Sequence, residues 1–298
     1  MTGAANPWPT PPSDDLASLY PQDSAASLAT RTLVMGILNV TPDSFFDGGR
    51  SLLPNDAVRR AGEMESEGAD LIDIGGQSTR PGSDPVSEEE EWRRVGPVLE
   101  AMAAKARVPI SIDTTRSAIA RRAVRLGVRV INDVSGLRAD PELARVAADS
   151  GAFLVVMHSR ANPKTMQQST HYDDLLGEVK QFLLAQTDVA MALGVRRDRL
   201  IIDPGLGFAK TPQGSIELLR RLGELLDLGY PILSGPSRKS FLGWILGGIP
   251  ADKRLEATLA AATLSAAAGA RIVRVHDVRA TVRAVRVADA VAGRFVQA

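Results

Sequence analysis

The stretch Leu200-Ile201-Ile202-Asp203-Pro204-Gly205-Leu206-Gly207-Phe208-Ala209-Lys210 decides the architecture. Three branched apolar residues run into a carboxylate, and a Pro-Gly turn ends the run. That pattern reads as a strand buried on both faces, as in a parallel sheet. Asp203 then stands at the strand's carboxyl end, where α/β folds hold their ligands. A single Asp before Pro-Gly is more often a turn or cap residue. Here the same grammar recurs. Leu33 to Leu38 ends in Asn39, Leu71-Ile72-Asp73-Ile74 follows, and Ile110-Ser111-Ile112 ends in Asp113. Val128 to Ile131 ends in Asn132-Asp133, and Phe153 to Met157 ends in His158. Ile232-Leu233-Ser234 leads to Ser237-Arg238-Lys239, and Ile272 to Val275, which contains Arg274, ends in His276.

Helices fit between these runs. One is expected over about Pro54 to Glu67, and a capping box of Ser87 and Glu90 opens another toward Ala104. Others run to Leu126, from Asp140-Pro141 to Ser150, over about Asp173 to Leu193, from Thr211-Pro212, over Glu256 to Ala268, and to about Ala292. Gly68, Gly127, Gly151, Gly194, Gly229 and Gly269 each stand just before a strand as left-handed helix stops. Eight strand–helix pairs with short joints are the signature of parallel β/α units. An open doubly wound sheet would focus its site on a few strands, whereas polar groups here stand at nearly every strand end. The expected fold is therefore a single-domain (β/α)8 TIM barrel over residues 31–298. No GxGxxG or GxxxxGK[ST] loop follows any strand, which disfavours Rossmann and P-loop nucleotide sites.

Composition narrows the function classes. The 298-residue chain is 44% hydrophobic, ample for a globular core. Lys plus Arg and Asp plus Glu both number 35, so no global field favours nucleic acid or an anionic membrane. The chain has no cysteine and three histidines, which excludes disulfides and thiolate metal sites and makes a His-rich metal centre a poor fit. There is no apolar run long enough to span a bilayer and no basic-then-apolar start, so a cytoplasmic location is expected. Residues 1–30 carry five of the 18 prolines with many Ser, Ala and Asp, and are expected to form a flexible arm.

Closing the strands would gather Asn39, Asp113, Asn132, Asp203, Lys239, Arg274 and His276 at one rim, with Thr79-Arg80 on the second loop. Asp113, Asn132 and Asp203 offer mostly acceptors, suited to a flat, donor-rich heterocycle. Arg274, His276 and the Ser78-Thr79 hydroxyls offer donors suited to a phosphate. A two-ended polar pocket for a heterocycle and an anion follows.

The motifs are also recognisable. Gly36-Ile37-Leu38-Asn39-Val40-Thr41-Pro42-Asp43-Ser44-Phe45 and Asp73-Ile74-Gly75-Gly76-Gln77-Ser78-Thr79-Arg80-Pro81-Gly82 resemble the two signatures of the dihydropteroate synthase family. Ser111 to Thr114, Ile131 to Ser135, Met157-His158 with Asn162 to Gln167, Asp203-Pro204-Gly205, Ser237 to Phe241 and Arg274 to Asp277 match the remainder. The resemblance implies condensation of 6-hydroxymethyl-7,8-dihydropterin pyrophosphate with 4-aminobenzoate in folate biosynthesis, by a sulfonamide-targeted transferase. It implies that Asp113, Asn132, Asp203 and Lys239 hold the pterin. Asn39, Thr79, Arg274 and His276 would hold the pyrophosphate, with Mg2+ bridging it to Asn39. Phe45, Thr79, Arg80, Pro81, Phe208 and Ser237 would shape the aminobenzoate pocket. Asp113, Lys239, Arg274 and His276 would be the catalytic group. It also implies a homodimer, for which the C-terminal helices are the candidate interface. Gln77 stands where the family generally has Glu, and Pro236 where it has a small or aliphatic residue.

Two rivals remain at this stage. A methyltetrahydrofolate:corrinoid methyltransferase shares a pterin-binding barrel but needs no pyrophosphate site. An inactive pterin-binding paralogue would draw its support from Gln77 and Pro236 alone. The loops Val40–Arg50 and Ser78–Ser83 are expected to supply much of the aminobenzoate side, and the first, with Gly48-Gly49, to be mobile when empty.

Overall fold

Eight parallel strands in the order β6-β5-β4-β3-β2-β1-β8-β7 form the centre of the molecule. They are β1 Leu33–Asn39, β2 Leu71–Gly75, β3 Ile110–Asp113, β4 Val130–Asp133, β5 Phe153–Met157, β6 Leu200–Asp203, β7 Leu233–Ser234 and β8 Ile272–Val275. A parallel bridge between Ile202 and Ile232 joins β6 to the residue before β7 and closes the ring. The computed structural model describes residues 8–12, 14–20, 30–41, 54–78, 82–160 and 164–294. Phe45, Thr79, Arg80 and Pro81, and with them most of the two loops expected to wall the aminobenzoate side, lie outside the described residues.

The helices fall where the apolar periodicity places them, beginning with Pro54–Glu67 and ending with Val278–Val291. All six glycines at the helix-to-strand joints have left-handed φ, between 70° at Gly151 and 100° at Gly194, a conformation a Cβ disfavours. At the start of Glu88–Ala103, Ser87 Oγ accepts from Glu90 N, while the Glu90 carboxylate is taken up by Arg93 and Arg94. Among the described residues, no helix is long and apolar enough to cross a membrane.

Strand alternation sorts side chains into two layers. Val34, Ile72, Ile74, Ile112, Ile131, Leu154, Val156, Ile202 and Val273 face outward and pack beneath the helices. Leu33, Met35, Leu71, Val130, Phe153, Val155, Ile201, Leu233 and Ile272 fill the barrel interior. Asp73, Asp113, Asn132, Asp203 and Arg274 share the parity of that inner set, one or two steps nearer the carboxyl ends. The interior is thus apolar at its floor and polar at its rim.

The expectation of an unpacked arm fails for residues 14–20. Leu16–Leu19 forms one 3-10 turn, and both leucines join the inner apolar cluster at the amino end of the barrel. The Asp14 carboxylate accepts from Leu16 N and pairs with the buried Arg271 guanidinium at 2.6 Å, just before β8. Arg199, just before β6, reaches Asp15 and Ser18, and Tyr20 donates to the Asp70 carbonyl. Two leucines three positions apart suffice to fill a floor that the strand starts leave open, and a composition average conceals them. The remaining arm residues 1–7, 13 and 21–29 lie outside the described residues.

Replacing fully buried Leu16 with Ala should therefore lower the unfolding free energy by about 2–5 kcal/mol, the usual range for emptying a core leucine site. Urea denaturation reads this directly. A loss below about 0.5 kcal/mol, typical of a surface change, would detach the turn from the cooperative core.

Candidate active site

Register brings the polar strand ends together. Asn39 is paired with Gly75, Gly75 with Asp113, and Asp113 with Asn132, across four of the eight strands. Across the barrel, Arg274 on β8 reaches back with Nε 2.6 Å from Asp73 Oδ2 and Nη2 2.7 Å from Asp113 Oδ2. Asn132 Nδ2 donates to the same Asp73 oxygen at 2.9 Å. The guanidinium thereby ties β8 to β2 and β3, and the Asp73 carboxylate adds β4. Asp73 Oδ1 and the neighbouring Ser111 Oγ are buried and have no hydrogen-bond partner among the described residues.

Burial governs the ionisation of this group. It pushes Asp113 well above the usual carboxylate range against the attraction of Arg274, with the Asp73 charge adding to the rise. Asp203 is pushed up to about 6 by burial, although its Oδ1 accepts from Gly205 N at 2.7 Å and Lys239 pulls the other way. Lys239 is pushed down to about 8 by burial, then by the nearby Arg274 charge. Its ammonium lies 3.9 Å from the centroid of the Phe208 ring, a cation–π contact.

His276 follows β8 and is pushed down to about 3 by burial and by Arg274, so it is neutral at physiological pH. Ser237 Oγ accepts from His276 N at 3.1 Å and lies 2.9 Å from Nδ1. With the serine's own hydrogen pointed at Nδ1, the ring hydrogen would lie on Nε2. Arg238, in the left-handed region with φ 56°, turns the chain between Ser237 and Lys239 and is itself spent on a bidentate pair with Asp277. A cavity of about 570 Å³ opens beside these groups, with Gln77, Asp113, Val134, Ser135, Arg138 and Phe208 among its walls.

The rim residues read from the sequence that lie within the described residues do converge on the strand ends. The Arg274 guanidinium lies between Asp73 and Asp113, paired with both carboxylates. Three residues that the structure places in or beneath the rim were missed as site members. Asp73 carried a usable signal, a carboxylate between two isoleucines at inward parity. His158 and Lys210, buried behind the Asp203 turn, carried no sign that they would meet.

A mostly polar ring over a closed parallel barrel defines a class, and comparison with known proteins agrees. Residues 35–276 match the model of the family described as pterin binding enzyme, and the chain belongs to that family. The dihydropteroate synthase of Synechocystis sp. is 51% identical over 261 residues, which cover 87% of this chain and 90% of the relative. The Xanthomonas albilineans dihydropteroate synthase solved with 4-aminobenzoic acid is 42% identical, with a TM-score of 0.85 over 95% of this chain and 98% of that one. The same organism's enzyme in complex with 7,8-dihydropteroate gives a TM-score of 0.79 at 42% identity, over 88% of this chain and 94% of that one. Within the pterin-binding family, the chain belongs to the dihydropteroate synthases, transferases of folate biosynthesis.

Removing the guanidinium should expose how much it holds together. Arg274→Met leaves two buried carboxylates uncompensated, a change that typically costs about 3–5 kcal/mol. The deficit should shrink between about pH 8 and about pH 5, because a buried carboxyl with a raised folded pKa is most stabilising when protonated and loses that contribution as pH rises. Urea melts at the two pH values check this; a deficit independent of pH would mean the carboxyls do not carry it.

Proposed function

We propose that the rim joins 6-hydroxymethyl-7,8-dihydropterin pyrophosphate to 4-aminobenzoate, releasing 7,8-dihydropteroate and pyrophosphate. The observation that carries this reading is the mixed-sign rim: the acceptors Asp113, Asn132 and Asp203 and the donors Arg274, Lys239 and His276 gathered at the carboxyl ends of the strands. Asp203 and Asn132 suit the donor edge of the pterin, and Lys239 suits its ring acceptors. Phe208 and Ser237, with Phe45, Thr79, Arg80 and Pro81, form the proposed aminobenzoate side. Asn39, Thr79, Arg274 and His276 form the proposed pyrophosphate side.

In the reaction, the bond from the methylene carbon to the pyrophosphate oxygen breaks and the bond to the aniline nitrogen forms. Positive charge left on the methylene is delocalised over the dihydropterin ring, where Asp113 and, less directly, Asp203 stabilise it. The departing anion gathers negative charge, which His276 meets as a neutral Nε2–H donor and Arg274 as a cation. Attack yields an arylammonium, which is acidic and loses its proton without a strong base. That accounts for a site with no Ser-His-Asp arrangement.

Mg2+ fits the donor set only in company with the substrate. Among the described residues, no group of three or more His, Asp or Glu could hold a metal. Asn39 offers one hard amide oxygen, and Mg2+ characteristically takes one or two protein ligands with waters and phosphate oxygens. When bound there, Mg2+ would neutralise charge on the pyrophosphate.

A homodimer belongs to the same proposal. Leu264 on Leu255–Ala267 and Val287 and Val291 on Val278–Val291 are exposed apolar residues on two helices packed against each other, and Trp244 and Ile245 are exposed nearby. A cytoplasmic location fits a chain that has no disulfide to form.

The direct test is product formation from the two substrates with and without Mg2+. No dihydropteroate in its presence would favour the inactive paralogue. Methyl transfer from methyltetrahydrofolate would favour the corrinoid enzyme. Asp203→Asn should weaken pterin binding by about 1.5–3 kcal/mol, the worth of a charged hydrogen bond. Calorimetry with a pterin ligand measures it, and unchanged affinity removes Asp203 from the site.

A further inference from the structure

Behind the Asp203 turn lies a second lysine that the reaction does not use. Lys210 is 3% exposed. Its Nζ donates to the Gly205 carbonyl at 3.0 Å and the Phe208 carbonyl at 2.9 Å, and lies 2.8 Å from His158 Nδ1. A longer contact of 3.5 Å reaches the His158 carbonyl; burial pushes Lys210 down to about 7, and the Asp203 charge pulls it back toward the ammonium. Burial, with Lys210 next, pushes the His158 imidazole down to about 2, so it is neutral. Nδ1 therefore accepts, and the ring hydrogen sits on Nε2. His158 is itself anchored, its N–H donating to the Asp203 carbonyl at 2.9 Å and its ring meeting Phe182 edge-on at 4.9 Å.

The chain from Asp203 to Lys210 wraps around this ammonium in a shape it does not favour unaided. Gly205, Gly207 and Ala209 all have left-handed φ, of 68°, 79° and 49°. For Ala209 that region is sterically disfavoured. A Cβ on Gly205 would lie 2.1 Å from the His158 carbonyl oxygen, so the turn is pressed against the β5 end. The inward-turned carbonyls of Gly205 and Phe208 meet the Lys210 cation. The same turn presents the Gly205 N–H to Asp203 Oδ1 and sets the Phe208 ring against Lys239.

We propose that Lys210 is a positioning residue of the pterin subsite: its ammonium holds the Asp203–Phe208 turn in the shape that presents the Asp203 carboxylate and the Phe208 ring to the substrate. The proposal rests on the reading of Asp203 as a pterin contact. Lys210 does not touch the substrate and acts through the turn. Because Asp203 holds the pterin ring in ground and transition states alike, losing its placement raises KM more than it lowers kcat.

The test compares the parent protein, Lys210→Met, His158→Leu and Asp203→Asn as full chains, each well below its melting onset. Calorimetry with 6-hydroxymethylpterin gives Kd, and steady-state turnover gives KM for each substrate. Lys210→Met keeps the side chain's length and removes every donor. It should weaken pterin binding at least tenfold and raise the KM for dihydropterin pyrophosphate by a similar factor, with kcat changed less than threefold. His158→Leu, which removes one of the three contacts and keeps the cation, should lie between Lys210→Met and the parent, and it carries the test if Lys210→Met does not fold. A lowered Tm with pterin Kd and KM within twofold of the parent would make Lys210 merely structural and overturn the inference. If Asp203→Asn loses affinity in that experiment, the reading of Asp203 survives the failure. If Asp203→Asn binds as the parent does, both fall together.

Discussion

One guanidinium lies between two buried carboxylates, and the geometry of the rim depends on it. Asp73 is fully buried inside the barrel, where a carboxylate needs a paired charge to offset its lost hydration. The planar fork of Arg274 reaches Asp73 through Nε and Asp113 through Nη2 at once, a division that the single nitrogen of a lysine could not make. Asn132 donates to the same Asp73 oxygen, so β2, β3, β4 and β8 are tied across the barrel axis rather than only along their backbone ladders. A ligand that enters against Asp113 would meet a carboxylate already oriented by a partner, and that partner is itself a fixed positive charge. The Arg274 side chain thus serves the fold and the chemistry with the same atoms.

Chemistry at one end is possible because stability is concentrated at the other. Below the polar layer the interior is apolar, and Leu16 and Leu19 cap it where the strands begin. The buried Asp14–Arg271 pair fastens that cap to the start of β8, four residues from the end of β8 at which Arg274 and His276 face the rim. In barrels of this kind the carboxyl-end face carries function and the amino-end face carries stability. The unsatisfied Asp73 Oδ1 and Ser111 Oγ are tolerable in that setting, since the apolar floor beneath them has no such defects.

Much of this was legible in the sequence because it depends on local rules. An apolar run ending in a polar residue marks a strand end, and glycine before the next run marks a left-handed stop; the six joint glycines have that conformation. What escaped depends on which residues meet across the barrel. Residues 1–30 read as unpacked from their proline and serine content, yet Leu16 and Leu19 fill a hole whose existence only the closed ring reveals. Arg274 was read as a donor at a strand end suited to a phosphate, but the direction of its side chain is set by Asp73, 201 residues earlier in the chain. Lys210 closed the Asp203 stretch with no role assigned to it; His158, whose Nδ1 it meets, lies 52 residues away.

Burial acts in opposite directions on the two signs of charge in this site, and that has a consequence for how the site works. It raises Asp203 to about 6 and lowers Lys239 to about 8, so acid and base converge on neutral pH instead of lying six or so units apart as they do in water. Groups poised in this way take their charge from what binds them. In the proposed reading, a pterin edge rich in N–H donors favours the Asp203 carboxylate, and ring acceptors favour the Lys239 ammonium. Each contact shifts its own group toward the charged form and, through their mutual attraction, helps the other. His276 escapes this coupling, because burial and Arg274 both hold it neutral, and a neutral Nε2–H can meet the leaving anion without a proton having first to be taken from solution. In that reading the charge pattern is completed by the substrate, on a frame in which the Arg274 cation is already paired.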